Sequence, residues 1–288
     1  MGDRALLQRV VEGRSGRAEA SRSTAPPPQE RFPSPKAGRI KQDDGGEGNR
    51  YHSVMGPTTL FFWGIIAYLL GAIPFGLLLT RAFGAGDLRA IGSGNIGATN
   101  VLRTGRRGLA AATLLLDGGK GAAAVLLARH FTGSEPVAAI AGFAAFAGHL
   151  FPLWLNFRGG KGVATMLGVS LAAWWPAGVA ALAVWLAAAL VTRYSSAGGM
   201  MAAVASAALF TFARTTVPID GAWTLASWAM TALLLLKHRD NIRRLRAGTE
   251  AKIGAATAAT PAQPPIGHNG GPALDDQPLD DPAGDRAK

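Results

Sequence analysis

The sequence contains no cysteine. That excludes disulfides, thiolate metal sites and a cysteine nucleophile, but it says little about compartment in a membrane protein. Charge is scarce too. Asp, Glu, Lys and Arg make up 16% of the 288 residues, where soluble domains carry about a quarter. Leu60–Leu79, Leu109–Ala128, Val137–Leu155, Val163–Thr192 and Ala222–Leu236 are nearly free of it. These runs are continuously apolar, not alternating, so they read as membrane helices and not as strands of a β-barrel.

Other familiar chemistry is missing as well. There is no HExxH, no carboxylate pair at helical spacing in the apolar region and no GxSxG, since Ser93 sits in "GSGN". No metal and no cofactor is expected. The formal net charge of +11 is compatible with nucleic acid. In a membrane protein it points first to the positive-inside bias and to anionic lipid or substrate, so no nucleic-acid partner is expected.

Residues 1–54 are rich in Arg, Glu, Ser, Pro and Gly and show no apolar periodicity, a composition expected to be disordered. No apolar core precedes Leu60, so the segment is not a signal peptide. It is either a tail or lies upstream of a start at Met55. The second reading is preferred, because "MGPTTLFFWGIIAYLLG" opens like a protein inserted through its first helix. Residues 253–288, Ala/Pro/Gly-rich and then acidic, are expected to form a second disordered tail.

The part between, residues 55–252, is expected to be an all-α, polytopic membrane domain of about seven embedded helices. They are 58–83, kinked at Pro74; 109–130, interrupted by "DGGKG"; 136–154; a short pair, 163–175 and 177–193, parted at "WWP"; 197–213; and 222–238. With Lys120 set aside, this count places the basic residues from Arg81 to Lys252 on one side, except Arg129 and Arg214. The positive-inside rule makes that side cytoplasmic, with the N-terminus outside and the C-terminus inside. The unusual polar motifs fall on the same side.

Three polar clusters carry the chemistry. In "IGSGNIGATNVLRTGRRG" (Ile91–Gly108), glycines let a ligand approach the backbone. Ser93, Asn95, Thr99 and Asn100 offer neutral hydrogen-bonding groups, and Arg103 offers a planar fork for phosphate. "GHLFPLWLNFRGGKGVAT" (Gly148–Thr165) fails as a Walker A loop, because Gly162 follows Lys161 where Ser or Thr is required. Its physics still suits an anion: Gly159, Gly160 and Gly162 can turn N–H groups toward it. Lys161 adds charge, and the helix beginning near Val163 adds its positive end.

The third cluster, "KHRDNIRRLRAGTE" (Lys237–Glu250), puts His238 and Asn241 three apart on one helix face, with Arg244 near it. A lone histidine at a helix end is more often a cap than a base, and His238 is the one to test first. Asp117 and Lys120, also three apart, can neutralise each other inside the second helix; ion pair and substrate contact both remain open. His149 is expected to support the glycine loop.

In order and spacing, "GSGNIGATNVLRTG", "GHLFPLWLNFRGGKGVAT" and "HRDNIRRLRAGTE" resemble the three signature motifs of the bacterial PlsY family. These are the acyl-phosphate:glycerol-3-phosphate acyltransferases, and "LLLDGGKG" is similar to their second-helix pattern. The likeness runs from about Met55 to Lys252. It implies transfer of a fatty acyl group from acyl phosphate to the 1-hydroxyl of glycerol 3-phosphate, giving lysophosphatidic acid, the first step of phospholipid synthesis in the bacterial inner membrane. It implies membrane lipid and the enzyme that makes acyl phosphate as partners. By motif position it makes Ser93, Arg103, His238 and Asn241 catalytic. Gly159, Gly160, Lys161 and Gly162 become substrate-binding and Glu250 a structural support. From the residues themselves, Asn95 and Asn100 are expected to bind substrate, and Asp117, Lys120 and His149 to support the site.

Overall fold

A computed structural model describes residues 56–254. The expectations for residues 1–54, for a start at Met55 and for the tail beyond Gly254 lie outside the described residues. Within them the chain is all-helical, without strands. Each expected apolar run is a helix. Five are long and apolar enough to cross a membrane: Pro57–Ala82, Arg107–Thr132, Glu135–Leu155, Trp175–Thr192 and Ser195–Thr216.

The first span is two helices, α1 (Pro57–Gly71) and α2 (Phe75–Ala82). Pro74 has no N–H to give and disfavours a helical Ile73, so the ladder breaks there. A short α3 (Ala98–Leu102) follows in the connecting loop, then α4 (Arg107–Thr132). Gly133, at φ 62°, ends α4 in the left-handed conformation, its N–H bonding to Arg129 O. The Ser134 side chain accepts from Val137 N and starts α5 (Glu135–Leu150). Beyond it lie α6 (Val163–Ala173), α7 (Trp175–Thr192), α8 (Ser195–Thr216), α9 (Gly221–Lys237) and α10 (Arg239–Arg246). Trp174 and Pro176 part α6 from α7.

One expectation is corrected: "DGGKG" does not interrupt the second membrane helix. α4 runs unbroken through it. The glycines serve close packing instead. A Cβ on Gly121 would lie 2.5 Å from Thr165 O, and one on Gly168 of α6 would lie 1.9 Å from Gly118 O. α1 and α5 meet in the same way, at Gly71 against Ala145 and Gly148 against Tyr68. Lipid supplies no hydrophobic drive for helices to associate, so backbones brought together by small residues carry the packing.

The two ends of the bundle differ. At one, Arg129 donates to Glu135 and to the last carbonyls of α6, Ala172 and Ala173. Trp223 at the start of α9 donates to the same Glu135. At the other end the chain gathers its polar loops. The 11 residues of α6 rise only about 16 Å, half of a ~30 Å hydrocarbon core. α6 packs on α4 from Gly118 onward, and the first half of α4 runs past it. That difference in length sinks a recess into the polar end of the bundle.

Candidate active site

The recess is a cavity of about 810 Å³, and all three polar clusters line it. Its first wall is the loop before α4. Asn100, on α3, is buried. Its Nδ2 donates to Leu88 O and Ile91 O, both at 2.9 Å, and its Oδ1 accepts from Ser93 N and from Arg103. Both amide donors are thus engaged within the loop, where Asn100 ties Leu88 and Ile91 to Arg103, and the residue borders the cavity. Ser93, Asn95 and Arg103 border the cavity. Gly92 sits at φ 54°, and a side chain there would meet the Arg103 guanidinium at 2.7 Å.

The second wall is the glycine loop between α5 and α6. Here too the expected geometry changes. Gly159 N–H donates to Leu150 O and Gly160 N–H to His149 O, so both close the end of α5 and do not point at a ligand. A Cβ on Gly159 would fall 2.1 Å from His149 O, and one on Gly160 2.1 Å from His149 Nε2. The groups that face the cavity are Lys161, Gly162 and the first residues of α6, Val163 and Ala164. Lys161 therefore works beside a helix N-terminus, the favourable end for an anion. Burial pushes the Lys161 ammonium down to about 8; Glu250 opposes this, and Arg244 and Arg103 add to it.

His238 joins α9 to α10 and is buried. Its Nδ1 lies 2.8 Å from Leu234 O, the geometry of a neutral ring donating there, which leaves Nε2 with the lone pair. Burial pushes His238 down to about 4; the bond to Leu234 opposes this and nearby Lys161 adds to it. Asn241, one turn on, donates through Nδ2 to Glu250 Oε1. Its Oδ1 is buried without a partner among the described residues. Glu250 also accepts from Ser196 Oγ and Arg244 Nε, each at 2.7 Å. Burial alone would raise Glu250, but these three hydrogen bonds hold it below its ordinary value.

At the floor, Lys120 Nζ lies 2.8 Å from Asp117 Oδ1 and 2.7 Å from Ile73 O. The pair is an ion pair, with both side chains at most 4% exposed. His149 Nδ1 sits 3.6 Å from the same carboxylate oxygen. Asp117 and His149 border the cavity.

Arg244 borders it too, and Ser196 is a wall residue that sequence reasoning passed over. "SSAGG" reads as an ordinary helix start; only the fold brings Ser196 to Glu250, 54 residues away. Ser195 likewise meets Thr99 across the recess, Oγ to Oγ1 at 3.1 Å. Arg103, Arg107, Lys161, Arg244 and Lys252 face the cavity against Asp117 and Glu250, and both carboxylates already have partners. The recess is built for anions.

Comparison with known proteins agrees with that character. The sequence model of a family described as glycerol-3-phosphate acyltransferase matches residues 61–248. A glycerol-3-phosphate acyltransferase of Zymomonas mobilis is 55% identical over 197 residues, covering 66% of this chain and 93% of its own length. That of Ruegeria pomeroyi is 57% identical over 199 residues, 69% of this chain and 95% of its own. Among solved structures, PlsY (YgiH), an integral membrane glycerol 3-phosphate acyltransferase in its glycerol 3-phosphate form, superposes with a TM-score of 0.63 at 36% identity. The match covers 68% of this chain and 96% of that one. The lysophosphatidic acid form of the same enzyme gives 0.61 at 34% identity. The chain belongs to the glycerol-3-phosphate acyltransferase family, that of PlsY.

Proposed function

We propose that this protein transfers a fatty acyl group from acyl phosphate to the 1-hydroxyl of glycerol 3-phosphate, releasing 1-acyl-glycerol 3-phosphate and phosphate. The observation that carries the reading is the recess itself: Arg103, Lys161 and Arg244 surround it while Asp117 and Glu250 are already paired. Two anionic substrates need such a surplus. An acyl phosphate is a mixed anhydride with a good leaving group, so the protein has chiefly to hold two anions in register and to stabilise charge.

In the proposed step the glycerol hydroxyl oxygen bonds to the acyl carbonyl carbon, and the carbon–oxygen bond to phosphate breaks. The electron pair leaves with phosphate. The hydroxyl proton goes to His238 Nε2 or to a phosphate oxygen, and ends on the released phosphate. Asn241 Oδ1, buried and without a partner among the described residues, is the acceptor assigned to the attacking hydroxyl in this reading. An acyl-enzyme on Ser93 is the competing route. A serine nucleophile needs an adjacent base, and Ser93 Oγ has no hydrogen bond to a histidine among the described residues. Trapping an acyl group on Ser93 during turnover would overturn the direct attack.

The concentration of basic residues at the recess end favours its facing the cytoplasm of a bacterial inner membrane. There a soluble glycerol 3-phosphate and a lipid-borne donor, delivered by the enzyme that makes it, can meet. The deciding assay uses purified protein with radiolabelled glycerol 3-phosphate and either palmitoyl phosphate or palmitoyl-CoA. Lysophosphatidic acid from the phosphate donor alone is expected. Folded protein giving no product from palmitoyl phosphate would sink the reading.

A further inference from the structure

One buried charged group has no part in the proposed step. Asp117 is one turn from Lys120 on α4, and Lys120 reaches Ile73 O in the break between α1 and α2. His149, on the last turn of α5, faces Asp117 with Nδ1 at 3.6 Å. The far edge of its ring lies against Gly160: a Cβ there would be 2.1 Å from Nε2. The backbone of His149 also accepts from Gly160 N at 3.0 Å. Gly160 precedes Lys161, whose side chain enters the recess. The imidazole is thus clamped between a carboxylate fixed on α4 and the backbone that carries the phosphate-facing lysine.

We infer that His149 is a positioning residue for the Lys161 loop, and that Asp117 sets the orientation of its ring. Three features of the geometry bear on this. His149 Nδ1 has no hydrogen-bond partner among the described residues, and the Asp117 carboxylate 3.6 Å away faces that atom and can orient the imidazole. The ring fills the place a side chain at 160 would take, so ring position and loop position cannot change independently. Finally, the Lys120–Ile73 contact ties the carboxylate to the α1–α2 break, a fixed point outside the loop. In the apolar interior such a pair has a strong preference for one arrangement. Displacing a binding group by about 1 Å costs up to about a hundredfold in function. The effect should fall on substrate binding, because a Lys161 that holds the phosphate would hold it in ground state and transition state alike.

The inference rests on the acyltransferase reading, so the test begins with wild-type turnover. No wild-type product would count against that reading; the variants then judge the positioning role. His149→Phe keeps the ring against Gly160 and removes Nδ1. It should raise KM for glycerol 3-phosphate about tenfold with kcat within about threefold. His149→Asn, which restores a polar atom near Nδ1, should recover most of the loss. Gly160→Ala should raise KM as His149→Phe does, and His149→Ala added to it should lower KM again by removing the ring in the way. An unchanged KM in His149→Phe, or a loss confined to kcat, overturns the proposal. If His149→Phe does not fold in detergent, the Gly160→Ala and His149→Ala/Gly160→Ala pair decides, and no relief in the double variant overturns it.

Discussion

Asn241 donates its amide N–H to Glu250, and that bond leaves Asn241 Oδ1 as a buried acceptor without a partner among the described residues. Glu250 simultaneously holds Ser196 and Arg244, so one carboxylate fixes groups on α8 and α10. Glu250→Ala should release all three. Activity should fall at least about tenfold, and unfolding in detergent should come earlier by about 1–3 kcal/mol. Glu250→Gln, which keeps one acceptor oxygen, should lie between. Ser196→Ala leaves two of the three bonds and should be the mildest. A Glu250→Ala enzyme with wild-type activity and stability would show that the clamp is incidental.

His238 stays neutral over the physiological range because burial has moved it to about 4. Its protonation is then disfavoured in the folded state, whereas the unfolded chain takes a proton below about 6.5. Stability should therefore fall as pH drops from about 6.5 toward 4, and be indifferent to His238 above that window. The kcat profile should show no acid limb between pH 5 and 8 from this residue. His238→Ala should lower kcat by roughly a hundredfold or more if Nε2 takes the proton. A limb near pH 6.5 that vanishes in His238→Ala would refute the assigned environment.

Lys161 makes the opposite prediction at the alkaline side. With its ammonium moved to about 8, the free enzyme loses a positive charge facing the recess as pH rises through that value. Glycerol 3-phosphate kcat/KM should decline above about pH 8, through KM more than kcat. Lys161→Arg, which cannot deprotonate in this range, should keep kcat/KM flat to higher pH even if its absolute value is lower. An alkaline limb identical in Lys161→Arg would assign it to another group.

Asn95 and Asn100 show what the sequence could and could not say. The apolar runs were readable because a bilayer permits only helices or closed barrels, and continuous runs of this length leave helices. A kink at Pro74 and a division at "WWP" were readable where proline chemistry forces them, though the full break into two helices at Pro74 was not. The first two polar clusters were readable as anion-binding from their Gly, Arg and Lys content, and all three as lying on one side; that they line one recess comes from the fold. How individual groups are engaged was not. Both asparagines sit in the same segment and border the recess, yet the Asn100 amide nitrogen is already spent on Leu88 and Ile91. The glycines of "DGGKG" looked like a helix break because their partner surface, α6, lies about 45 residues on in the chain, and propensity cannot register a backbone contact of that range.

That distinction is testable. Asn100→Asp removes the two donors and sets a carboxylate against two carbonyl oxygens in a buried place. It should destabilise the protein by about 2 kcal/mol or more and lower activity with any substrate pair. Asn95→Ala should leave thermal unfolding near wild type, and any loss should appear in the kinetics. Equal thermal stability of the two variants would show that the loop does not depend on the Asn100 hydrogen bonds.

The absence of cysteine makes the proposed orientation directly measurable. Thr215 is exposed near the end of α8 that carries Arg214, and Arg246 is exposed at the end of α10 beside the recess. The fold puts these two at opposite ends of the bundle, the first with the Arg129–Glu135 network and the second with the basic loops. Thr215→Cys and Arg246→Cys each introduce the one thiol in the chain, at positions away from the residues assigned to chemistry. In spheroplasts, a membrane-impermeant maleimide should label Thr215→Cys and leave Arg246→Cys unlabelled until the membrane is permeabilised. The reverse pattern would place the recess outside the cell, away from a cytoplasmic supply of glycerol 3-phosphate. It would remove the physical reason for a basic face at this end, since the positive-inside bias would then be violated by nearly every arginine in the domain.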